Sequence, residues 1–381
     1  MQVSDALNAS LTLPLDLYFM VHIIIAPDSF KGTATAEQAA RLLGEGVRSV
    51  IRDAQITLAP MADGGEGTAA TFSGETITLP TTDAAGRLTE ASYIFDGSTA
   101  YIDIAAASGL PAVADNTVPL TGDTYGTGVL IADAQTRGAT RIVLCLGGSA
   151  TTDAGTGILV ALGATPMDEA GYSLRKGGGS LGALASIDTA QLNIPAAALE
   201  WVLLTDVTAT VPEAATVYAP QKGASTEDVA LLESALIHTA VTLGIDPQTP
   251  GFGAAGAVPV GIHWLSTMLH GTDSHVHVLP GAPLVADALG LVESIPQANL
   301  VITGEGRFDA QSLTGKVVGT IADIVAGTGA TLAIAAGRID ADPGPGVITA
   351  AMGEPVDVEK QLFEAGAQIA ADYLRISTAQ G

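Results

Sequence analysis

Positive charge is scarce in this chain. Its 381 residues include 40 Asp and Glu but only 15 Lys and Arg, which leaves a net charge of −25. A field of that sign repels nucleic acid and anionic membrane, so neither is expected as a partner. Aromatic residues make up only 4%, so a core has to be built from Ala, Val, Leu and Ile. Cys145 is the single cysteine and lies in the apolar run Ile142-Val143-Leu144-Cys145-Leu146. That excludes an internal disulfide and fits a buried thiol in a reducing compartment. No apolar run approaches the ~18 residues of a membrane span. No basic residue precedes Lys31, and Asp5 and Asp16 interrupt the N-terminal segment, which makes a poor signal peptide. The expected location is the cytoplasm.

Apolar residues and glycine are plentiful. Hydrophobic residues reach 48% with only 14% charged, the reverse of a disordered composition. The 45 glycines exceed the usual share of about 7% and cluster in short loops between apolar runs. Residues 1–19 precede Met20-Val21-His22-Ile23-Ile24-Ile25, where a buried strand begins. Met20 is expected to be the initiator and residues 1–19 an optional extension.

One plan recurs along the chain: a β-branched run, a Gly/Ser/Asp turn, then an Ala-rich helix. Residues 22–26 lead into Pro27-Asp28-Ser29-Phe30-Lys31-Gly32, and a helix is expected over 36–50. Residues 56–59 lead into Ala62-Asp63-Gly64-Gly65-Glu66-Gly67, and 142–146 into Gly147-Gly148-Ser149-Ala150-Thr151. Leu300-Val301-Ile302 leads into a turn over 303–309, with a helix over 317–326. A further strand over 332–335 ends at Ala336-Gly337-Arg338. This alternation predicts a parallel sheet covered on both faces. Residues 75–104 instead hold short alternating runs between turn residues, the pattern of an antiparallel meander. The expected division is a discontinuous doubly wound domain, 20–70 plus 285–381, with 71–284 inserted into it. Asp63 and Asp206 then fall in different domains.

The five lysines are Lys31, Lys176, Lys222, Lys316 and Lys360, and the first four each adjoin a glycine. Lysines beside glycine stand where backbone N–H groups also reach a ligand, which points to anion binding. The same loops carry Asp28, Asp63, Glu66, Asp153, Asp206, Glu305 and Asp309. Acids among anion-binding loops suit Mg²⁺, which bridges carboxylates to phosphates. An acid is also needed to orient or deprotonate an attacking hydroxyl. Asp63 and Asp206 closely follow apolar runs and so belong at carboxyl ends of strands, where α/β proteins bind ligands. Asp153 reads as a helix cap. Gly315-Lys316 is no Walker A loop, because Val317 stands where Ser or Thr is required. Gly251-Phe252-Gly253-Ala254-Ala255-Gly256 fits G-x-G-x-x-G, but prolines precede it in place of a strand. His270, His275 and His277 read as a solvated loop.

Taken in order, these motifs resemble the bacterial glycerate kinase family that forms 2-phosphoglycerate. They include Ile25–Gly32, Ala62–Thr68, Ala107-Ser108-Gly109-Leu110, Tyr125-Gly126-Thr127-Gly128 and Leu146–Thr151. Thr205-Asp206-Val207-Thr208, Pro220-Gln221-Lys222-Gly223, Gly253–Gly256 and Val301–Asp309 with Gly315-Lys316 complete the set. The resemblance runs from about residue 20 to the C-terminus. It implies a Rossmann-like domain made of both chain ends with an inserted α/β domain of mixed sheet. It also implies ATP, Mg²⁺ and D-glycerate. Within that reading the candidate substrate contacts are Asp28, Ser29, Lys31, Glu66 and Arg307, with one or two basic groups on the carboxylate, Lys31 and Arg307 being the candidates. Gly147, Gly148, Ser149 and Thr151 then take the phosphates, with Lys222 or Lys316. Asp63 and Asp206 share metal binding and orientation of the hydroxyl, in either order, and Lys31 joins them as catalytic. The chain departs from the family pattern at Ala209–Pro212, at Ala154 in place of a glycine, and at Arg338 in place of a small polar residue.

The expected activity is phosphorylation of D-glycerate at the 2-hydroxyl by a monomer or homodimer. Two other readings compete with it. A nicotinamide-dependent hydroxy-acid dehydrogenase would need a nucleotide fingerprint after the first strand, where Pro27-Asp28-Ser29-Phe30 stands instead. A non-catalytic binder of organic anions leaves the acids without a task.

Overall fold

The computed structural model describes residues 21–30 and 32–380. The expected extension and Lys31 therefore lie outside the described residues. In chain order the strands are β1 (His22–Ile25), β2 (Gln55–Leu58), β3 (Glu75–Thr82), β4 (Leu88–Phe95), β5 (Thr99–Asp103), β6 (Arg141–Cys145) and β7 (Thr165–Met167). They continue with β8 (Ser186–Asp188), β9 (Glu200–Leu204), β10 (Val276–Leu279), β11 (Leu300–Phe308), β12 (Thr331–Ile339) and β13 (Ile348–Ala351).

The chain divides into two compact units. One takes the chain up to Pro60, Val292–Ala310 and the chain from Ile321 onward; the other takes Met61–Leu291 and Gln311–Thr320. The loop 61–68 thus goes with the second unit, where the sequence had placed it in the first. Asp63 and Asp206 share a unit. The reason is packing: Gly64 lies so close to the end of β9 that an added Cβ would stand 3.2 Å from both the Leu204 carbonyl carbon and the Thr205 nitrogen.

In the first unit the strand order is β13-β12-β11-β1-β2, every pair parallel. The chain moves outward from β1 to β2 and returns on the other side at β11. The switch point therefore lies between β1 and β11, the place where doubly wound sheets bind ligands. The helix Ala36–Val50 starts at Thr35, whose hydroxyl accepts from the Gln38 N–H while the Gln38 side chain accepts from the Thr35 N–H. Its buried face, Ala39, Leu43 and Val47, recurs every four residues and meets Ile23, Ile25 and Ile302 in an aliphatic core. The helix Val358–Gln380 docks on it through Gly46 and Gly366. A Cβ on either would meet a carbonyl oxygen of the other helix, Phe363 at 2.0 Å or Leu43 at 2.2 Å. Small residues at helix crossings are how a core poor in aromatics keeps its packing density.

The second unit holds a mixed sheet, β10-β9-β6-β5-β4-β3. Its β3, β4 and β5 form the expected antiparallel meander, and β5, β6, β9 and β10 run parallel. Ile102, Ile142, Leu144, Trp201 and Leu203 from these strands bury against Ile131, Ile158, Val258 and Ile262. Cys145 is fully buried here, and burial raises its thiol well above the ordinary range. A Rossmann-like parallel sheet made from both chain ends and an inserted α/β unit with a mixed sheet is the architecture the sequence implied.

The run 303–308 is strand rather than the expected turn. Thr303 to Phe308 pairs with Ile334 to Ile339, and the Thr303 hydroxyl donates to the Ala26 carbonyl at 2.9 Å. Ala154 adopts φ +52, in the region that favours glycine. That left-handed backbone costs an alanine roughly 1–2 kcal/mol. No helix among the described residues is long and apolar enough to cross a membrane.

Candidate active site

Three loops interleave at the carboxyl end of the second unit's parallel strands. The loop after β6 hangs by its backbone: Leu146 N–H donates to Leu204 at 2.9 Å, Gly147 N–H to Gly64 at 3.3 Å, and Ala150 N–H to Ser108 at 2.8 Å. Gly147 permits this packing, because a Cβ there would stand 2.3 Å from the Gly65 Cα. Gly148 turns the chain with φ +73, and a Cβ on it would lie 3.3 Å from the Glu66 Oε2. The Glu66 carboxylate and the Gly147–Thr151 loop are therefore neighbours.

The loop carrying Asp63 is tied from several sides. Asp63 is buried, and its Oδ1 accepts the Gly65 N–H at 3.0 Å. The Thr68 hydroxyl accepts from the Gly64 N–H at 3.2 Å and donates to the Gly65 carbonyl at 2.7 Å. Asp103, the last residue of β5, accepts from the Gly67 and Ala69 N–H groups at 3.0 Å each. Burial raises the Asp103 carboxyl above the ordinary range, against those two hydrogen bonds. Sequence reasoning missed Asp103. The available signal was the one used for Asp63 and Asp206, an acid at the end of an apolar run. Asp206 follows Thr205 directly, so Gly64 brings the Asp63 and Asp206 loops into contact.

Lys222 belongs to this end, but it is buried. Its ammonium donates to the Ser149 Oγ at 3.0 Å and to the Thr151 carbonyl at 2.6 Å. The glycine beside it suggested a cation reaching outward; the structure instead places it beneath the loop. Asp153 lies deeper and is fully buried, accepting from the N–H groups of Thr124, Gly155 and Gly157 and from the Thr124 hydroxyl. Burial still raises its carboxyl. It does more than cap one helix, since it ties Thr124 to the segment after the loop. Lys316 stands in Gln311–Thr320, where Gly315 approaches Pro280. Gly281, the next residue, packs on Asp63 and Gly64.

Burial lowers the Lys222 ammonium to about 8, with Asp153 opposing. The unfolded chain then holds more protons than the folded one between about 8 and the ordinary lysine value of about 10.4. The sign follows: this group's contribution to stability rises with pH across that window. Urea midpoints of the wild type and Lys222→Met, taken at about pH 7.5 and about pH 10, check this. The wild type should gain relative to the variant at the higher pH, and a difference that stays flat contradicts the burial argument.

In the first unit, Asp28 follows β1 and is largely buried, and its N–H donates to Gly304 at 2.8 Å. The Ser29 N–H donates to the Asp28 Oδ1 at 2.6 Å. Arg307 on β11 lies beside Arg338 on β12, and both donate through Nε to Asp340 at 2.8 Å. Desolvation pushes the Asp340 carboxyl up, but the hydrogen bonds from Arg307 and Arg338 outweigh it and hold the group below the ordinary range. By unit, Asp28, Ser29 and Arg307 belong to the first, and Asp63, Glu66, Gly147, Gly148, Ser149, Thr151, Asp206, Lys222 and Lys316 to the second.

The G-x-G-x-x-G segment does not form a dinucleotide turn. No strand precedes it, and Ala255, Gly256 and Ala257 run left-handed at φ +52, +72 and +69. A Cβ on Gly256 would meet the Thr151 carbonyl oxygen at 2.2 Å, so this strained turn braces the end of the Gly147–Thr151 loop. His270 ends the helix Ala254–His270 and stacks on His275 at 4.0 Å, and His277 is in β10, so the three are not one solvated loop.

The family described as the glycerate kinase family matches residues 23–375. A glycerate kinase of Halalkalibacterium halodurans is 40% identical over 77% of this chain and 79% of its own length. The glycerate 2-kinase of Escherichia coli is 39% identical over 79% of this chain and 81% of its own length. A crystal structure from Salmonella typhimurium LT2, assigned as glycerate kinase 2, superposes with a TM-score of 0.79 at 32% identity, covering 94% of this chain and 99% of that one.

Proposed function

The chain belongs to the glycerate kinase family, and from that premise we propose that it transfers the γ-phosphoryl group of ATP to the 2-hydroxyl of D-glycerate. The observation that carries this reading is the interleaving of the Asp63–Gly67 loop with the Gly147–Thr151 loop, where the missing Cβ of Gly147 lets backbone meet backbone. Phosphoryl transfer needs mostly positioning and charge neutralisation. One end of one sheet supplies glycine-lined backbone, a buried lysine and carboxylates together.

Each part then has a task. Gly147, Gly148, Ser149 and Thr151 receive the phosphates through backbone N–H groups and hydroxyls, with Lys222 holding the loop's shape and charge from below. Lys316 adds a second cation. Carboxylate oxygens are the donors Mg²⁺ prefers, and one or two suffice when phosphates complete its shell. Asp63 and Asp206 meet that need, and the metal would neutralise charge on the transferring group. The acid that does not hold metal orients the substrate hydroxyl and takes its proton as the oxygen bonds to phosphorus. The bond from phosphorus to the leaving ADP oxygen breaks in the same displacement. Asp28, Ser29, Lys31, Glu66 and Arg307 contact the acceptor, with the carboxylate on the basic groups. The setting is the cytoplasm, with a small-molecule partner and a monomeric or homodimeric protein.

ADP release, assayed with each component withheld in turn, tests the reading. Release that requires ATP, Mg²⁺ and D-glycerate together is the expected result. Release that ignores glycerate leaves an ATPase, binding without release leaves an anion binder, and NAD(P)-dependent oxidation of glycerate gives the dehydrogenase. Any of these overturns the proposal.

A further inference from the structure

The buried ammonium of Lys222 meets two oxygens of the loop above it, the Ser149 Oγ at 3.0 Å and the Thr151 carbonyl at 2.6 Å. An ammonium has three protons to donate and no lone pair, so both oxygens must accept. That fixes the direction of the bond to Ser149. The serine hydroxyl gives a lone pair to Lys222 and keeps its one proton. Ser149 is 5% exposed, and no acceptor for that proton is formed among the described residues. The Thr151 carbonyl would compete for it, but that oxygen already takes its bond from Lys222. Thr151 adds a second case, since its Oγ1 is buried with no hydrogen-bond partner among the described residues. The loop therefore holds more donors than acceptors, and a buried donor left unpaired is costly. Its complement is an oxygen-rich anion, which brings lone pairs and no protons.

We propose that Lys222 is a positioning residue that fixes the Ser149 hydroxyl as a hydrogen-bond donor to a phosphate oxygen of the nucleotide. This deepens the glycerate kinase reading and rests on it for the identity of the nucleotide. Loss of the ammonium proton reverses the arrangement. A neutral amine has a lone pair, so the Ser149 hydroxyl can turn its proton inward to Lys222 and away from the phosphate. Burial lowers this ammonium to about 8. Asp153 is the charge that acts on it and opposes the shift. Asp123 lies in the field of Asp153 and of Lys176, and Glu66 faces the loop from its other side at Gly148. Thr117, which stands against Gly223, brings no charge. The donor is therefore held below about pH 8 and lost as pH rises through that value.

Calorimetric titration of ATP with saturating Mg²⁺ into the full chain, without glycerate, tests this in the wild type, Ser149→Ala, Lys222→Met and the double variant. A hydrogen bond to a charged acceptor is worth enough that Kd should rise by about 10-fold or more in Ser149→Ala at about pH 7.5. The double variant should bind within about 2-fold of Lys222→Met, because two residues acting through one bond do not add. Between about pH 7.5 and about pH 9.5 the wild-type Kd should rise roughly 5-fold or more, and that of Ser149→Ala by less than about 2-fold. A lysine that only supported the loop would give both proteins the same pH dependence. A Ser149→Ala protein that binds as the wild type does overturns the inference, as do additive losses in the double variant. So does a Ser149→Ala protein that keeps the full alkaline rise, since the charge of Lys222 would then act directly. A wild type that does not bind ATP overturns it as well. If Lys222→Met does not fold, the pH comparison decides alone, because it leaves Lys222 in place. A wild type that shows this coupling and pH dependence but releases no ADP with D-glycerate overturns the kinase reading and leaves the Ser149 donor standing.

Discussion

Replacing Asp63 or Asp206 by Asn is expected to lower kcat by a factor on the order of 10² or more, with the melting temperature close to that of the wild type. The argument separates charge from hydrogen bonding. Asp63 accepts the Gly65 N–H through Oδ1, and an asparagine oxygen accepts the same bond. What the variant lacks is the negative charge that binds metal or takes a proton. Asp153→Asn supplies the contrast. Its two oxygens take four hydrogen bonds in a fully buried site, more than a surface cap would make. One oxygen becomes an NH₂ facing donors, so this variant should lose about 1–3 kcal/mol of stability. Its kcat should change far less than in the other two. Steady-state kinetics with thermal denaturation on all three decide the matter. Near wild-type kcat in Asp63→Asn or Asp206→Asn removes that residue from the catalytic set.

The second large effect concerns a residue with no side chain. Gly147→Ala puts a methyl 2.3 Å from the Gly65 Cα, closer than any real contact, so the two loops must part. Overpacking between backbones that cannot yield costs roughly 1–3 kcal/mol. The larger consequence is functional. Gly147 also donates its N–H to Gly64, and the same displacement moves the Asp63 loop away from the phosphate loop. Misplacement on the scale of 1 Å is enough to cost about 10² in rate, so kcat over the ATP KM should fall by that order. Gly182→Ala is the control, because an added Cβ there meets nothing within 4 Å and its φ is not left-handed. It should stay within about 0.5 kcal/mol of the wild type. A Gly147→Ala protein with unaltered kinetics would mean that the interleaved loops are not the site.

Local signals carried much of this into the sequence. The helix over 36–50 is legible from Thr35, Gln38 and the Ala39-Leu43-Val47 spacing, because caps and periodicity act over a few residues. The meander over 75–104 is legible for the same reason. Tertiary packing was not. The loop 61–68 adjoins β2 in sequence, yet Gly64 and Gly147 bind it to the far-off ends of β9 and β6. No periodicity announces such a contact, so Asp63 was assigned to the wrong unit. Lys222 shows a similar limit. Its neighbour Gly223 marks a tight turn, but whether the ammonium faces water or the loop's underside depends on where Ser149 and Thr151 arrive. The strand character of 303–308 is hidden by Gly304 and Gly306, which read as turn residues until β12 pairs with Thr303 to Glu305 and again with Arg307 and Phe308.

The central claim is that phosphorus ends on the 2-hydroxyl of D-glycerate, and the most direct test is the product itself. Proton-coupled phosphorus NMR of a reaction with ATP, Mg²⁺ and D-glycerate separates the outcomes. An ester at the 2-hydroxyl couples to one methine proton and gives a doublet, which is the result predicted. A triplet from the methylene of a 3-phosphate ester, or no new ester signal while ATP remains, would contradict the account.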